Sequence, residues 1–477
     1  MNTDNPNSEL TGPASSPGSN EPALFTDLYE LTMLQAYFHE KMTQEGVFSL
    51  LVRQLPSERN FLLACGLDSV LDYLTNLTFT QDSLDYLRSL GQFSEPFLES
   101  LSHFRFTGSV RAVPEGTPVF ANEPILEITA PLPQAQVVET FVMNQIHLQT
   151  LLASKARRVV SAARGRAVVD FGARRMHGMD AALKAARAFY IAGVAATSNV
   201  LAGKRYGLPV NGTMAHSYIQ SHDDETEAFL AFLDSFPETV LLVDTYDTLA
   251  GIHKVIHLAD TLGTDFKVKG VRLDSGDLLS LSRKARQTLD TAGLHHVDIF
   301  ASGNLDEYRI AELLAAGAPI NGFGVGTHMG VSLDVPCVDI VYKLCEYGGE
   351  GKLKLSSGKP VLPGAKQVFR SEQDGRFVKD IIGCMNEDLP GRPLLETVMK
   401  NGRRLPAATR NLAIIRNYAE EQMARLPEII ADIYPADPPY PVEISPGLTA
   451  LQRRIKKTLL NNKKQTAHRR GRRDLAD

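Results

Sequence analysis

Short apolar runs alternate with helical stretches through the middle of the chain. Seven runs have the composition of buried strands, at residues 167–172, 193–199, 209–214, 239–244, 269–274, 297–302 and 320–326. Between several of them the apolar residues fall on one helical face, as they do in residues 247–262. Buried strands that alternate with helices are typical of a parallel sheet with helical crossovers. The pattern predicts an α/β fold with a seven-stranded parallel α/β barrel, and an open doubly wound sheet is the alternative.

The segments on either side of this centre follow other patterns. Residues 23–42 carry apolar positions three and four apart, which predicts a helix, and residues 106–131 alternate apolar runs with Gly and Pro turns, which predicts several strands. We therefore divide the chain into five regions. They are a disordered lead (1–22), an N-terminal α+β domain (23–146), an α/β barrel catalytic domain (147–335), a C-terminal region that packs on the first two domains (336–452) and a basic tail (453–477).

The overall composition narrows the class of protein without identifying a function. A chain of 477 residues with 43% hydrophobic and 22% charged residues has the composition of a globular protein with more than one domain. No apolar run approaches the roughly 20 residues of a membrane span, and the N-terminus lacks the pattern of a secretory signal. The four cysteines show no CxxC spacing, which favours a reducing cytoplasm over a disulfide framework or a zinc site. Cys337 and Cys345 are expected to fill core positions.

Positive charge is concentrated in the basic tail. The net charge of the chain is −5, yet ten Lys and Arg residues and no acidic residue lie between Arg453 and Arg473. Such a segment can bind nucleic acid or an anionic surface, but no aromatic residues are interspersed for stacking on bases. A solvated, frayed terminus is the favoured interpretation, and we expect neither nucleic acid nor a membrane as a partner.

Polar side chains gather just after the predicted strands. In strand order they are Arg174, Arg175, His177, His216, Ser217, Asp244, Arg272, Asp274 and Asp277. The last two runs end in the small, polar sequences ASGN and GFGVGT. In parallel barrels the active site lies at the C-terminal ends of the strands. The sequence therefore predicts a site for a polyanionic ligand at this end of the sheet.

Each of these motifs also has a purely structural interpretation. Arg174 and Arg175 could solvate a loop, although a guanidinium binds carboxylate or phosphate with two donors and can stack on Phe171. The Gly-rich turn at residues 322–327 is either a phosphate cradle or a tight turn, because it contains neither GxGxxG nor GKS/T. The three acids after the fourth and fifth strands suit helix N-caps, or a Mg²⁺ held mostly through water and substrate oxygens.

His216 has no second histidine at HxxH or HExxH spacing, so a zinc site is not favoured. A lone histidine is usually a core residue, but this one follows a predicted barrel strand and precedes Ser217. General acid–base catalysis and nucleophilic attack are both consistent with that position. The residues alone leave these two roles open.

Six motifs stand out by their combination and order. They are TDLYELTM, FGARRMHG, SNVLAGKRYGLPVNGTMAHSYIQ, LVDTYDTL, VRLDSGDL and GFGVGTHM, the last followed by VYKL. Together, over about residues 23–370, they resemble nicotinate phosphoribosyltransferase, a family of type II phosphoribosyltransferases. The resemblance implies an irregular seven-stranded α/β barrel and a C–N bond-forming ligase of NAD salvage. Such an enzyme joins nicotinate and 5-phosphoribosyl 1-pyrophosphate to nicotinate mononucleotide and pyrophosphate, couples this to ATP hydrolysis through a phosphohistidine, and requires Mg²⁺.

The resemblance also implies catalytic roles for residues of the predicted barrel. His216 corresponds to the phosphorylated histidine, and Arg272 and Asp274 would contact the ribose. Arg174 would hold the nicotinate carboxylate or the sugar phosphates, with Phe171 stacked on the pyridine ring. These five residues form the centre of the expected site.

Further substrate contacts follow from the same resemblance. Gly303, Gly326 and Thr327 would line the 5-phosphate site. Ser217 would contact substrate beside His216. Asp244 would contact the Mg²⁺ or the diphosphate, and together with Asp274 it is the candidate metal ligand.

Two residues of the first motif point to the quaternary structure. Tyr29 resembles the tyrosine that covers the pyridine ring from the partner subunit, and Asp27 lies beside it. The resemblance therefore implies a homodimer whose active site lies at the subunit interface.

Three alternative functions stay open. A nicotinamide-specific relative would carry an acid in the loop after the second strand, where this chain has Thr197, Ser198 and Asn199. A quinolinate-specific relative would need more basic residues for two carboxylates and lacks the histidine motif. A non-catalytic phosphosugar-binding protein would have no need of His216 together with Arg272.

Overall fold

The computed structural model describes residues 22–355 and 362–473. The predicted disordered lead, apart from Pro22, lies outside the described residues. Pro22 begins a 3₁₀ helix, Pro22–Leu24.

The N-terminal part contains helices and short strands in alternation. Its elements are α1 (Leu28–Glu40), β1 (Glu45–Val52), β2 (Leu62–Leu63), α2 (Leu67–Asn76), α3 (Gln81–Ser89), α4 (Glu95–Ser102), β3 (Ser109–Ala112), β4 (Pro118–Val119), β5 (Pro124–Pro131), α5 (Leu132–Val137) and α6 (Glu139–Ala162).

The central part has the predicted alternation of strands and helices. Its elements are β6 (Ala167–Asp170), a 3₁₀ turn (Ala173–Arg175), α7 (Met179–Ile191), β7 (Ala196–Thr197), α8 (Val200–Tyr206), α9 (His216–Gln220), α10 (Glu225–Ser235), β8 (Val240–Leu242), α11 (Thr248–Leu262), a 3₁₀ turn (Gly263–Asp265), β9 (Gly270–Leu273), α12 (Leu278–Thr291), β10 (Asp298–Ala301), α13 (Glu307–Ala315), β11 (Gly322–Val325) and α14 (Thr327–Gly330).

The C-terminal part is mainly β up to residue 404 and then helical. Its elements are β12 (Ile340–Tyr347), β13 (Glu350–Gly351), β14 (Lys366–Gln373), β15 (Arg376–Cys384), β16 (Arg392–Pro393), β17 (Glu396–Lys400), β18 (Arg403–Arg404), a 3₁₀ turn (Pro406–Ala408), α15 (Leu412–Ala424), α16 (Glu428–Ala431), β19 (Val442–Ile444) and α17 (Pro446–Arg473). The basic tail, expected as a frayed terminus, is therefore helical up to Arg473.

An antiparallel sheet joins the two ends of the chain. Its strand order is β13-β12-β1-β5-β3-β17-β18 within the described residues, so strands from beyond residue 339 flank those of the N-terminal part. Phe48 on β1 and Tyr342 on β12 stack with ring centroids 4.8 Å apart. The helix α6 runs through the predicted boundary between residues 146 and 147. The domain boundaries proposed from the sequence stay predictions.

The central strands form a curled parallel sheet. In the described part of the chain its order is β7-β6-β11-β10-β9-β8, so the first strand of the series pairs with the last. Six of the seven predicted runs are strands, and the α/β fold is confirmed. The remaining run, the third at 209–214, contributes a single bridge from Val210 to Thr197. A closed seven-stranded barrel is therefore not confirmed.

The short pairing of the third run, at 209–214, has a simple cause. Thr197 N donates to Pro209 O and Asn211 N donates to Thr197 O, each at 3.0 Å. Pro209 has no N–H, so the ladder cannot extend towards the N-terminus. Beyond Asn211 the chain leaves the sheet and leads to His216.

The cysteines differ in burial. Cys345 is buried as expected, but Cys337 is exposed, because it lies in the connection between α14 and β12. All four cysteines are free.

Within residues 22–355 and 362–473, no helix has both the length and the apolar character needed to cross a bilayer.

Candidate active site

A cavity of about 640 Å³ opens at the C-terminal ends of the parallel strands. Nine of the residues predicted from the sequence line it, namely Phe171, Arg174, Arg175, His216, Arg272, Asp274, Gly303, Gly326 and Thr327. They come from five different strand–helix connections, and parallel strands bring such connections to one end of a sheet. The structure thus brings together most of the predicted site.

His216 is the first residue of α9 and its side chain is 40% exposed. Its Nδ1 lies 3.1 Å from Thr245 Oγ1, and its Nε2 lies 3.9 Å from Asp274 Oδ2. When Nδ1–H donates to Thr245, the lone pair of the neutral ring is on Nε2. No group of three or more metal-ligating side chains occurs among the residues that the structure describes. The geometry therefore favours a nucleophile or base over a zinc ligand.

Arg272 lies on β9 and connects several walls of the cavity. One terminal nitrogen donates to Met214 O at 2.7 Å, and the other donates to Ser302 Oγ at 3.2 Å. The guanidinium carbon lies 5.7 Å from the centroid of the Phe171 ring. Burial lowers the pKa of Arg272, while the nearby carboxylate of Asp274 acts in the opposite direction. These contacts hold a cation in a fixed orientation inside the cavity.

Asp274 and Asp244 lie in different layers of the site. Asp274 lines the cavity, and its Oδ1 accepts a hydrogen bond from Ser302. Asp244 lies behind it, where its Oδ2 accepts from Asp274 N at 2.9 Å and from Ser275 Oγ at 2.6 Å. Asp244 Oδ1 is buried and has no hydrogen-bond partner in the described part of the chain. Asp244 therefore supports the Asp274 loop and keeps one oxygen available.

Two glycine-containing loops, after β10 and after β11, also line the cavity. Gly303 follows β10 with φ +88°, and a Cβ there would lie 1.8 Å from Asp274 O, so only glycine fits. Gly326 follows β11, and Thr327 begins α14. Thr327 Oγ1 accepts a hydrogen bond from Arg175 at 2.9 Å. These loops present backbone groups and a cation to the same space, as anion-binding sites do.

The loop after β7 carries no acid, as the sequence indicates. Thr197 Oγ1 donates to Asp170 Oδ2 at 2.7 Å, and Asn199 caps α8 by accepting from Ala202 N. Ser198 lines the cavity. Burial raises the pKa of Asp170, which is fully enclosed behind the loop. Among the described residues that line the cavity, Asp274 is the one acidic side chain.

Some predicted residues do not reach this cavity. Ser217 is exposed on α9, and His177 is exposed after the 3₁₀ turn. Asp277 is the N-cap of α12, where it accepts from backbone N–H groups, so its structural interpretation is the better one. Tyr29 and Asp27 lie at the start of α1 and do not line the cavity within one chain.

Sequence reasoning missed several residues of the site. Thr245 positions His216, Ser302 joins Arg272 to Asp274, and Asn304 and His328 also line the cavity. Thr245 directly follows a predicted strand and His328 follows Thr327, whereas Ser302 and Asn304 belong to the ASGN sequence at the end of a predicted strand, to which no role had been assigned. Proximity to a strand end was therefore the available signal.

Family models match most of the chain. The model of the nicotinate phosphoribosyltransferase N-terminal domain matches residues 24–147, and that of the nicotinate phosphoribosyltransferase family matches residues 166–384.

Curated proteins of known name are similar over most of their length. The chain is 54% identical to nicotinate phosphoribosyltransferase pncB2 of Mycobacterium tuberculosis, over 89% of this chain and 91% of that protein. It is 42% identical to nicotinate phosphoribosyltransferase of Bacillus subtilis, over 73% of each chain.

A solved structure has the same overall fold. Human nicotinic acid phosphoribosyltransferase superposes with a TM-score of 0.80 at 27% identity, over 90% of this chain and 99% of that chain.

Proposed function

Because this chain belongs to the nicotinate phosphoribosyltransferase family, we propose that its cavity joins nicotinate to 5-phosphoribosyl 1-pyrophosphate with assistance from ATP. The protein is an enzyme of NAD biosynthesis, and its reaction gives nicotinate mononucleotide and pyrophosphate. One observation carries the proposal: His216, Arg272, Asp274 and the two glycine loops meet around a single cavity.

The groups that line the cavity indicate where each part of the substrates would bind. The loops at Gly303 and at Gly326–Thr327 would hold the 5-phosphate through backbone N–H groups. Arg174 would bind the nicotinate carboxylate or a sugar phosphate, and Phe171 would pack against the pyridine ring. Arg272 and Asp274 would hold the ribose hydroxyls.

The transfer step follows from this arrangement. The bond from ribose C1 to the diphosphate oxygen breaks, and a bond from C1 to the pyridine nitrogen of nicotinate forms. Charge develops on the ribose ring and on the leaving diphosphate. The enzyme contributes mainly by holding the two reactants in line and by stabilising the negative charge that develops on the leaving diphosphate.

His216 would accept the γ-phosphoryl group of ATP. Its Nε2 attacks the γ-phosphorus, the bond from that phosphorus to the bridging oxygen breaks, and ADP leaves with the bonding electrons. In the tautomer whose Nδ1–H donates to Thr245 Oγ1, 3.1 Å away, the lone pair is on Nε2. The phosphohistidine adds negative charge beside Asp274 and changes the electrostatics of the diphosphate site.

The side chains present fit a Mg²⁺ bound largely through substrate. Asp274 and the free Oδ1 of Asp244 are the protein oxygens that would hold it, and no larger set of ligands is found in the described part of the chain. When bound, Mg²⁺ would neutralise charge on the diphosphate.

Specificity for nicotinate over nicotinamide rests on the loop after β7, where the sequence Thr197-Ser198-Asn199 contains no acidic residue. A carboxamide would need an acceptor for its N–H₂ group, whereas a carboxylate needs cations. Ser198 is the residue of the loop after β7 that reaches the cavity, and Arg174 and Arg175 line the same cavity. A carboxylate substrate is therefore favoured.

Three broader features belong to the same proposal. A homodimer would bring Tyr29 and Asp27 of one subunit to the cavity of the other. The bridge at Val210 would be the seventh position of an irregular barrel. The four free cysteines support a reducing, cytoplasmic setting.

The function is tested by following nicotinate mononucleotide formation with nicotinate, 5-phosphoribosyl 1-pyrophosphate, Mg²⁺ and ATP. We expect efficient synthesis with nicotinate and at least tenfold lower kcat/KM with nicotinamide, roughly the cost of one unmatched polar group. No product from nicotinate would end the enzyme assignment, and equal use of nicotinamide would end the specificity assignment.

The phosphohistidine is tested with His216→Ala and with His257→Ala, an exposed histidine on α11, as the matched control. We expect the first variant to keep slow synthesis, to lose stimulation by ATP and to take up no acid-labile phosphate from γ-labelled ATP. The control should behave like the unmodified enzyme. Full ATP stimulation in His216→Ala would show the assignment to be wrong.

A further inference from the structure

Asp170 is a buried residue that takes no part in the proposed transfer steps. It is the last residue of β6, it is fully enclosed, and its side chain does not line the cavity. Thr197 of β7 is opposite it in the parallel pairing of the two strands. Burial of a carboxyl group is unfavourable unless hydrogen bonds satisfy its oxygens. The donors to these oxygens therefore show what Asp170 holds in place.

Each oxygen of the Asp170 carboxyl group accepts a hydrogen bond from a different loop of the site. Oδ1 accepts from Gly172 N at 2.8 Å, and Oδ2 accepts from Thr197 Oγ1 at 2.7 Å. Burial raises the pKa of Asp170, and these two hydrogen bonds act in the opposite direction. A carboxylate can accept at both oxygens, whereas an amide of the same size has only one oxygen. Asparagine therefore could not accept from both donors.

The contact with Gly172 fixes the start of the turn that carries Arg174. Gly172 is the N-cap of the 3₁₀ turn Ala173–Arg175, and its carbonyl oxygen accepts from Arg175 N at 2.9 Å. The hydrogen bond from Gly172 N to Asp170 is buried. The carboxyl group of Asp170 thus anchors the segment that leads to Arg174.

The contact with Thr197 reaches the loop after β7. The hydroxyl group of Thr197 donates to Asp170 and itself accepts from Asn199 N at 3.1 Å. In addition, Ser198 N donates to the backbone oxygen of Asp170 at 2.9 Å. Asp170 therefore holds both sides of Ser198, the residue of this loop that lines the cavity.

The two anchored segments carry groups that line the same cavity, Arg174 and Ser198. Because both hydrogen bonds end on one buried carboxyl group, that group sets the separation of the two segments. A guanidinium binds a carboxylate best through two parallel hydrogen bonds, and this geometry allows little displacement. The position of Arg174 relative to Ser198 therefore depends on Asp170.

We propose that Asp170 is a positioning residue for nicotinate. It holds the Arg174 turn and the Ser198 loop at the separation that suits the carboxylate of the pyridine substrate. This inference rests on the proposed function and assigns Arg174 to the nicotinate carboxylate. The carboxyl group of Asp170 accepts from the loops after β6 and β7, and not from the loops after β10 and β11 that are assigned to the 5-phosphate. Binding of nicotinate should therefore depend on Asp170 more than binding of 5-phosphoribosyl 1-pyrophosphate does.

Asp170→Asn keeps the size of the side chain and leaves one of the two donors without an acceptor. We expect the KM for nicotinate to rise about tenfold, the effect of one hydrogen bond to a charged group. The KM for 5-phosphoribosyl 1-pyrophosphate and kcat should stay within about twofold, because only binding of the pyridine substrate is weakened. Asp224→Asn is the matched control, at an exposed N-cap that also accepts two hydrogen bonds, and should behave like the unmodified enzyme.

Variants of Thr197 test the same contact from the other side. Thr197→Val removes the donor to Oδ2 and leaves the contact with Gly172, so we expect a rise of about threefold in the KM for nicotinate. Thr197→Ser keeps the hydroxyl group and should restore the KM. This pair decides the proposal even if Asp170→Asn fails to fold.

The outcomes separate this inference from the function on which it rests. An unmodified protein that forms no nicotinate mononucleotide would end both. Synthesis by the unmodified protein, with an unchanged KM for nicotinate in Asp170→Asn or in Thr197→Val, would overturn the inference alone. Equal rises in the KM values of both substrates, or a fall in kcat with both KM values unchanged, would show a general structural role and would also overturn it.

Discussion

His216 presents its two ring nitrogens to different neighbours. Nδ1 lies 3.1 Å from Thr245 Oγ1, whereas Nε2 faces the cavity side of Asp274 at 3.9 Å. A neutral imidazole has its proton on one nitrogen and its lone pair on the other, so the partner of one nitrogen decides the chemistry of the other. Thr245 therefore acts as a positioning residue for the proposed phosphoryl transfer.

Thr245→Val keeps the shape of the side chain and removes the hydroxyl. Because the ring is then no longer held in one orientation, we expect phosphorylation of His216 by ATP to slow by about tenfold, the cost of one hydrogen bond in a polar site. Synthesis without ATP should change little. The measurement is the rate of acid-labile phosphate incorporation, with Thr245→Ser expected to restore it. An unchanged rate in the valine variant would contradict the role of Thr245.

Because active sites of parallel barrels lie at the C-terminal ends of the strands, site residues at the ends of predicted strands could be predicted from the sequence. His216, Arg272 and Asp274 each follow or end an apolar run, so their place in the cavity was predicted. The parts played by Thr245 and Ser302 depend on contacts with residues about thirty positions away, which no local pattern contains. The predicted contact of Asp244 with Mg²⁺ or the diphosphate stays a prediction, and the hydrogen bond from Asp274 N to its Oδ2 is a further contact that no local pattern contains.

At the scale of elements, composition indicated the strands better than it indicated their lengths. Residues 193–199 and 209–214 have strand-like composition, yet β7 spans only Ala196–Thr197 and the second run makes one bridge. Pro209 removes a ladder donor, and both segments turn away into the connections that form the cavity. In these two segments the connections that form the cavity, and not the strand propensity of the residues, determine where the strand pairing ends.

The start of α1 depends on a buried carboxyl group. Glu30 is fully enclosed and accepts from Thr140 N at 3.1 Å and from Thr140 Oγ1 at 2.8 Å, which ties α1 to α6. Burial raises the pKa of Glu30 to about 7, against the opposing effect of the hydrogen bonds from Thr26 and Thr140. The folded state therefore favours the neutral acid.

This raised pKa gives the stability a definite pH dependence. In the unfolded chain Glu30 ionises near its ordinary value of about 4.3, so its contribution to stability is greatest below that pH and is lost as the pH rises through about 7. Glu30→Gln should flatten the fall in unfolding temperature between about pH 5 and pH 8 by a few degrees.

The measurement is differential scanning calorimetry at a fixed scan rate across that pH range. Glu40→Gln, at an exposed position at the end of the same helix, is the matched control and should follow the unmodified protein. A pH profile of Glu30→Gln that parallels the unmodified profile would show that Glu30 does not titrate in this range.

At the scale of the whole molecule, the two ends of the chain build one sheet. β1 pairs with β12 in antiparallel register from Gly46 opposite Tyr347 to Val52 opposite Ile340. Arg59 and Asp334 join the same two regions through an ion pair. Pairing between residues so far apart in sequence is not encoded in any local pattern. The sequence could therefore predict the C-terminal part of this sheet only as a region that packs on the other domains.

The first motif of the chain is separated from the cavity it is expected to serve. Tyr29 is 48% exposed and, like Asp27, does not line the cavity within one chain. Phe25 and Leu28 are also 48% exposed beside them. An apolar surface next to a substrate-binding motif is typical of a subunit interface. This arrangement supports a dimer in which each active site uses the α1 start of the partner.

Subunit complementation tests that arrangement directly. Tyr29→Ala and Arg272→Ala should each lower kcat/KM strongly as pure proteins. When the two chains are co-expressed with different tags and the mixed dimer is isolated, one of its two sites contains intact Arg272 and intact Tyr29, so activity should return to about half of that of the unmodified dimer. Arg272→Ala mixed with Asp274→Ala, both in the same cavity, should show no recovery. If Tyr29 served the cavity of its own chain, the first mixture would contain no intact site, and its activity would stay at the level of the single variants.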